Sequence, residues 1–239
     1  MRARRIAALA GCVMFMTVVT TGCGGESVSG TNAAPIAPAA DEIDLYQPGA
    51  ADFYRSFRME GARSAEYYET LKEAVPAASA VVVAEITGIK QTRIIQGEMA
   101  DDRLPMIGVI LRPVDVLAGQ LPPEFAAELT VEFIGSDDPA TLDRLKADLP
   151  AGHRGLWFLR HKTAGIPGKA PVRVQPAEAA YFRTVSPQGL FVQGPSTVDS
   201  PLVETDGDVG RLDDMSAEGR RFTRLSELVG EVRRLAKER

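Results

Sequence analysis

The only imidazole groups in the chain belong to His153 and His161, which lie on either side of an apolar segment. Nucleophilic catalysis by serine or cysteine needs a neighbouring base to accept a proton, and histidine usually fills that role. If residues 153–161 form one strand, both side chains point to the same face but stand ~26 Å apart at ~3.3 Å per residue. The two histidines therefore cannot share a site, and we expect them in solvent at a turn and a strand end.

Carboxylates are the second group of residues with chemical potential, and five of them lie close together near the C-terminus: Glu204, Asp206, Asp208, Asp213 and Asp214. Their oxygens suit Ca²⁺, but their spacing lacks the pattern of a calcium-binding hand. A solvated acidic turn explains segment 204–214 better. Known nucleophile, zinc and phosphate-binding motifs are also missing from the sequence. We therefore assign no catalytic, cofactor-binding or metal-binding residue, although distant acids can still meet in a folded chain.

Both cysteines, Cys12 and Cys23, lie near the N-terminus, so the fold uses no disulfide. Residues 1–5 are cationic and residues 6–19 are apolar apart from Thr17, which is typical of a signal sequence. The apolar run is too short to span a membrane, because a spanning helix needs ~20 residues.

Residues 20–22 (Thr-Thr-Gly) precede Cys23, and this segment resembles the lipobox of bacterial lipoproteins. In that family the cysteine thiol receives a diacylglyceryl group and becomes the first residue of the mature protein. The resemblance implies that residues 1–22 are a signal peptide and that Cys23 anchors the protein to the extracytoplasmic face of the cell membrane. Thr20 departs from the family, which usually has Leu there. Cys12 has a better-matching context, but it would leave an apolar region shorter than the ~7 residues a signal requires.

The chain carries 27 basic and 32 acidic residues, for a formal net charge of −5. Removal of residues 1–22 would take away three arginines and leave 24 basic and 32 acidic residues. An acidic protein has no basic field to attract phosphates, which argues against a nucleic-acid partner. The bias toward Arg, Ala, Gly and Val resembles that of actinobacterial proteins.

Residues 24–41 are rich in Gly, Ser, Ala, Thr, Asn and Pro and show no periodic apolar face. Such a segment behaves as a coil with an end-to-end distance on the order of 25 Å. We therefore predict three parts: the signal peptide 1–22, the lipidated cysteine with a flexible tether at 23–50, and a single folded extracytoplasmic domain at 51–239.

The apolar pattern of the domain predicts a helix that starts near Ser64, carries Tyr68, Leu71 and Val75 on one face and ends at Pro76. Period-two patterns then predict strands at 80–86, 106–117, 129–133, 155–160, 181–185 and 190–192. A proline within the second strand, at Arg112-Pro113, indicates a bulge.

Turn and cap residues complete this arrangement. Asp138-Pro139 is typical of a helix start, and Ser186-Pro187-Gln188-Gly189 fits a type I turn that would make the last two strands a hairpin. Residues 222–235 form an amphipathic stripe that should dock on the sheet.

These elements predict a mostly β (α+β) fold: a small antiparallel barrel or strongly curved sheet with one inserted short helix and a C-terminal packing helix. The order resembles secreted bacterial domains with an OB-like barrel, mainly over residues 80–119 and the Leu-Pro-Ala-Gly turn before residues 156–159. Trp157 and Phe158 must face opposite layers, and we expect Trp157 to lie in the core rather than against a ligand.

The predicted anchor, the tether and the lack of catalytic motifs favour a non-enzymatic binding or interaction module of the cell envelope. Its partner would be an envelope protein, a peptide or a cell-wall component. Two alternatives stay open: a secreted cell-wall hydrolase that uses carboxylates alone, and a small-ligand carrier with a cavity inside the barrel.

Overall fold

The computed structural model describes residues 40–58, 66–99, 102–169, 175–203 and 214–238. The predicted signal peptide, Cys12, Cys23 and most of the predicted tether lie outside these residues. Ser64 and four of the five clustered acids, at 204–213, lie outside them as well.

Within the described residues the chain forms six α-helices: α1 (Ala40–Ile43), α2 (Ala50–Arg55), α3 (Leu71–Ala77), α4 (Pro139–Ala147), α5 (Met215–Arg220) and α6 (Leu225–Lys237). Seven strands accompany them: β1 (Ala80–Gln96), β2 (Arg103–Gly119), β3 (Leu129–Ile134), β4 (Arg154–His161), β5 (Phe182–Thr184), β6 (Leu190–Gln193) and β7 (Val198–Asp199). Short 3₁₀ turns occur at Pro123–Phe125, Pro176–Ala180 and Pro187–Gly189.

The strands form one sheet whose pairings return to their starting point. β1 pairs with β2 and β4, β2 pairs with β3, and β5 joins β3 to β4, so five strands close a ring of hydrogen-bonded pairs. A closed ring of five strands cannot alternate direction throughout, and one pair must be parallel. That pair is β3 with β5, where Val131 lies opposite Phe182. The mostly β (α+β) prediction is confirmed, but the sheet is mixed rather than purely antiparallel.

β1 and β2 are longer than predicted because bulges bend them instead of ending them. Val83 lies opposite Asp115 and Ala84 opposite Pro113, so Val114 is an extra residue on β2. This shift confirms the bulge predicted at Arg112-Pro113. A second shift lies between Ile86 and Gly88, and the strand therefore continues past the glycine at which the sequence pattern predicts its end.

The predicted hairpin between the last two strands is wrong. β5 and β6 do not pair with each other; both pair with β4, with Thr184 opposite Leu159 and Leu190 opposite Trp157. The turn itself is present, since the Gly189 N–H donates to the Ser186 carbonyl at 2.9 Å. Residues 185–189 are thus a short excursion between two collinear strand segments.

Alternation along the strands produces two cores. The inner core, enclosed by the ring, takes Val82, Ala84, Trp157 and Leu159, whereas the outer core takes Val81, Val83, Leu156 and Phe158. Helices α1, α3, α5 and α6 cover the outer core, and the predicted docking of the C-terminal helix is confirmed. Trp157 is fully buried, as expected, but it lies in the inner core, and Phe158 rather than Trp157 is the residue covered by the helices.

Two predicted boundaries change. The first predicted helix begins later, at Leu71, because the Thr70 hydroxyl accepts from the Glu73 N–H and caps it. Packed structure also begins before residue 51: Ile43 and Ala50, placed in the predicted tether, are 3% and 2% exposed. By contrast, Asp138 caps α4 as predicted.

Candidate functional site

Helices α2 and α4 close one end of the ring. Tyr54 of α2, Phe57 just beyond it and Leu145 of α4 all belong to the inner core. Phe57 stacks on Phe133 near the end of β3, with ring centroids 4.8 Å apart. Arg55 of α2 also forms an ion pair of 2.6 Å with Asp199. Both helices therefore contribute side chains to the inner core, and α2 is also tied to β7.

A cleft of about 540 Å³ lies between these helices, which is within the size range of ligand sites. We call it the α2–α4 cleft. Its lining combines polar and apolar side chains: Gln47, Pro48, Gly49, Asp52, Phe53, Ser56, Arg144, Leu145, Asp148, Leu149 and Pro150. A ligand there would meet both an apolar surface and hydrogen-bonding groups.

The charged residues of the α2–α4 cleft favour binding over acid catalysis. Asp52 lies on the α2 side and Asp148 at the end of α4, so each wall carries a carboxylate. Asp52 is paired with Arg55, its side chain is 77% exposed, and Asp148 is also exposed. A carboxylic acid that donates a proton near neutral pH must be withdrawn from water, and these are not. Arg144 forms no ion pair with the described residues, so it can receive an anionic or carbonyl group.

The prediction of two solvated histidines is wrong for His153, which is 1% exposed. The Ile86 N–H donates to the His153 carbonyl at 2.9 Å, which fixes the turn before β4 to β1, and the Tyr54 ring of α2 packs against the imidazole with centroids 5.9 Å apart. Burial lowers the pKa of His153 to about 4, so its imidazole is neutral near pH 7. His161 is partly buried at the other end of β4, where its ring contacts Phe182 at 4.9 Å.

Two carboxylates that look like ordinary charges in the sequence are buried among cations. The first is Glu66, whose side chain is 3% exposed. It accepts from Arg160 Nη2 at 2.6 Å and from Tyr68 and Arg183. Burial alone would raise the pKa of Glu66, but hydrogen bonds from Tyr68, Arg183 and Arg160 hold it below its usual value. We call these four residues the Glu66 cluster.

The second is Glu132 of β3, whose side chain is fully buried. It accepts from Thr92 at 2.6 Å, Arg93 at 2.9 Å and Lys162 at 2.5 Å. Burial again works to raise the pKa of Glu132, and these three hydrogen bonds lower it below its ordinary value. Alternation in the strand predicts the face of Glu132, but no local signal indicates its distant cations. We call these four residues the Glu132 cluster.

Asp214, the last residue of the clustered acids, is not in a solvated turn. It is 5% exposed and caps α5, accepting from the Ala217 N–H at 2.8 Å and the Ser216 hydroxyl at 2.6 Å. Among the described residues, no group of three His, Cys, Asp or Glu side chains is placed to hold a metal ion. In the same part of the chain, no helix combines the length and apolar character that crossing a bilayer requires.

No protein-family model matches the chain, and no curated protein or solved structure shows significant similarity to it.

Proposed function

We propose that the protein is an extracytoplasmic lipoprotein, anchored to the cell membrane through a lipid on Cys23. We further propose that its folded domain is a non-enzymatic binding module of the cell envelope. The signal-like residues 1–22 and the lipobox-like context of Cys23 support the anchor. The ring of five strands, closed by helices at one end, supports an OB-like barrel as the fold.

The observation that carries the binding role is the α2–α4 cleft. Its volume, its apolar wall and the polar groups Gln47, Ser56 and Arg144 suit a ligand with both amide or carboxylate groups and an apolar part. A peptide or a cell-wall peptide stem has this chemistry. Large side chains, among them Trp157 and Leu159, fill the inner core. This favours the cleft over the interior as the site for a ligand of that size.

Replacement of the two cysteines tests the anchor, since Cys12 provides a matched control for Cys23. We expect Cys23→Ser to abolish lipid labelling and release the protein from the membrane fraction, while Cys12→Ser remains lipidated and membrane-bound. Unchanged lipid labelling of Cys23→Ser would contradict the anchor. If lipidation is lost only in Cys12→Ser, the lipid is attached to Cys12 and not to Cys23.

Binding at the α2–α4 cleft is tested by co-sedimentation with purified peptidoglycan. Loss of a charge-assisted hydrogen bond, about 1.5–3 kcal/mol, should weaken binding of Arg144→Ala roughly tenfold or more. Lys146→Ala removes the same charge from the same helix without touching the cleft, and should bind as the unchanged protein does. Failure of the unchanged protein to sediment would exclude the cell wall as partner, and equal loss in both variants would exclude the cleft.

A second candidate function, cell-wall hydrolysis, is favoured by one observation: Asp52 and Asp148 lie on opposite walls of the cleft. A peptidoglycan zymogram decides between the two functions. Lysis that disappears in Asp148→Asn but persists in Asp143→Asn, an exposed acid of α4, would show a hydrolase. We expect no lysis by the unchanged protein, because both cleft carboxylates lie in solvent.

A further inference from the structure

Three polar side chains are enclosed where α2 closes the ring. Tyr54 and Trp157 are fully buried and His153 is 1% exposed. The Tyr54 ring contacts both of the others, with its centroid 5.9 Å from that of His153 and 5.7 Å from that of Trp157. Gly155 and Trp157 lie on the same side of β4, and His153 lies in the turn just before that strand. These residues form a polar group inside an otherwise apolar core.

The protonation states of this group follow from its burial. Burial lowers the pKa of His153 to about 4, so near pH 7 the ring carries one N–H and one bare nitrogen. Burial also raises the pKa of the Tyr54 phenol, which therefore keeps its proton. The Tyr54 hydroxyl lies 3.5 Å from His153 Nδ1, and donation from the phenol to Nδ1 leaves the imidazole proton on Nε2.

Two buried donors then lack an acceptor. Neither His153 Nε2 nor Trp157 Nε1 has a hydrogen-bond partner among the described residues, and both atoms are closed off from solvent. The indole N–H can only donate. Buried polar groups in folded proteins are almost always paired, either with protein atoms or with an ordered water. Two unpaired donors in one small region therefore indicate an acceptor that the protein chain does not supply.

Gly155 lies beside one of these donors. A Cβ atom at residue 155 would lie 3.1 Å from Trp157 Nε1, 3.1 Å from Leu190 Cδ1 and 3.2 Å from the Phe191 carbonyl oxygen, so a side chain at this position would crowd the indole N–H. The bare face of the glycine thus lies beside one donor and one acceptor. A neutral oxygen that both accepts and donates, such as that of water or a hydroxyl group, can satisfy such a pair. An anion would lose its hydration in this apolar core without a compensating charge.

We infer that the end of the ring under α2 holds a buried neutral oxygen acceptor, which receives the hydrogen bonds of Trp157 Nε1 and His153 Nε2. Two sources have this chemistry: an internal water molecule, or a hydroxyl group of a small molecule retained by the protein. The site is distinct from the α2–α4 cleft, because none of its residues lines that cleft. It also does not depend on the proposed binding function.

The indole N–H gives an unambiguous signal, because Trp157 is the only tryptophan of the chain. In ¹⁵N-labelled protein, a nuclear Overhauser effect from a long-lived water to the Trp157 Hε1 proton would support the water source. A co-purified small molecule in native mass spectrometry, whose removal shifts the indole resonance, would support the other source. If neither signal is found, the inference is overturned.

Substitution of Gly155 locates the acceptor. Gly155→Ala places a methyl group beside Trp157 Nε1, so we expect the water signal to disappear and the indole resonance to shift. Gly165→Ala is the control, because a Cβ there meets nothing within 4 Å. If Gly155→Ala does not fold, His153→Phe retains a ring and removes both nitrogens, and should also lose the signal. A water signal unchanged in a folded variant of Gly155 or His153 would place the oxygen elsewhere and overturn the inference.

Discussion

The Glu66 cluster and the Glu132 cluster each place one buried carboxylate among cations, yet they differ in access to water. Arg160, the innermost partner of Glu66, has a side chain that is 3% exposed. The second cation of Glu66, Arg183, is 31% exposed, and both cations of Glu132 lie between these two values, with Arg93 at 14% and Lys162 at 11%, so Arg160 alone is closed off from water. The cost of breaking a buried ion pair is mainly the cost of leaving a charge buried and unpaired. The two clusters should therefore respond differently to loss of the same carboxylate.

They also differ in what they connect. Glu132 belongs to β3, which the sheet already holds through its pairing with β2. Glu66 belongs to no strand or helix, and side chains hold its segment to the ring: Gln188 donates to the Tyr68 carbonyl and accepts from its N–H, both at 3.0 Å. The ion pairs of Glu66 with Arg160 of β4 and Arg183 of β5 thus attach to the ring a segment that has no strand pairing, whereas the Glu132 cluster adds to pairing that exists.

The largest effect is expected from Glu66→Gln. It keeps the shape of the side chain but leaves Arg160 buried without a counter-charge, so we expect a loss of about 3–5 kcal/mol in the free energy of unfolding. Urea denaturation followed by Trp157 fluorescence measures it. Glu98→Gln, at an exposed residue, is the control and should change stability by no more than about 0.5 kcal/mol. A loss below about 1 kcal/mol in Glu66→Gln would contradict the role assigned to Arg160.

The pH dependence of stability distinguishes the contribution of His153 from those of Glu66 and Glu132. Burial lowers the pKa of His153 from its ordinary value of 6.5 to about 4, so between these values the unfolded chain binds a proton that the folded chain does not. Stability should therefore fall by about 3 kcal/mol as pH drops through this window. The lowered pKa values of Glu66 and Glu132 act differently: their stabilisation is complete above the unfolded value of about 4.3 and is lost as pH falls through the folded values.

The measurement is the free energy of unfolding at a series of pH values from 7 to 3. His153→Phe should flatten the curve between about pH 6.5 and 4 and leave the steeper fall below it. In Glu132→Gln, stability should fall between about pH 6.5 and 4 as it does in the unchanged protein, but the further fall below this range should be weaker. If His153→Phe loses stability between about pH 6.5 and 4 as steeply as the unchanged protein does, a group other than His153 titrates in this range.

A smaller loss, about 1–3 kcal/mol, is expected from Glu132→Gln at pH 7. Arg93 keeps a second carboxylate, Glu178, at 3.4 Å, and both Arg93 and Lys162 can turn toward water. The comparison between the two clusters fails if this variant loses as much stability as Glu66→Gln. The same urea series measures it, again with Glu98→Gln as the control.

The sequence predicts much of this fold where the signal is local. Alternation identifies β3, Pro113 indicates the bulge, and Asp138 is recognisable as a cap because its partners are two and three residues away. The pairing of β5 and β6 is mispredicted because a type I turn and an interruption within a strand have the same local residues. The two cases differ only in the pairing partner, and here both segments pair with β4 instead of with each other.

The candidate sites depend on contacts that no local pattern carries. The α2–α4 cleft joins residues 47–56 to residues 144–150, and the Glu66 cluster joins residues 66 and 68 to residues 160 and 183. The sequence predicts His153 in solvent because it follows a Pro-Ala-Gly turn, but α2 covers it from a distance of about a hundred residues along the chain. In the sequence, a buried glutamate cannot be told from a solvated one, because its cationic partners lie far away along the chain.

The smallest expected effect tests which part of Arg183 matters. One terminal nitrogen, Nη1, donates to the Thr184 and Val185 carbonyls, each at 3.0 Å, while Nη2 donates to Glu66. Lysine in Arg183→Lys retains the charge, but its single nitrogen replaces two that stand at different positions, so it cannot keep the contacts of both Nη1 and Nη2. Because this side chain is 31% exposed, water can replace the lost carbonyl contacts, and we expect a loss of about 1 kcal/mol. If Arg183→Lys costs more than Glu66→Gln in the same urea series, backbone anchoring by Arg183, rather than the charge of Glu66, holds the cluster to the ring.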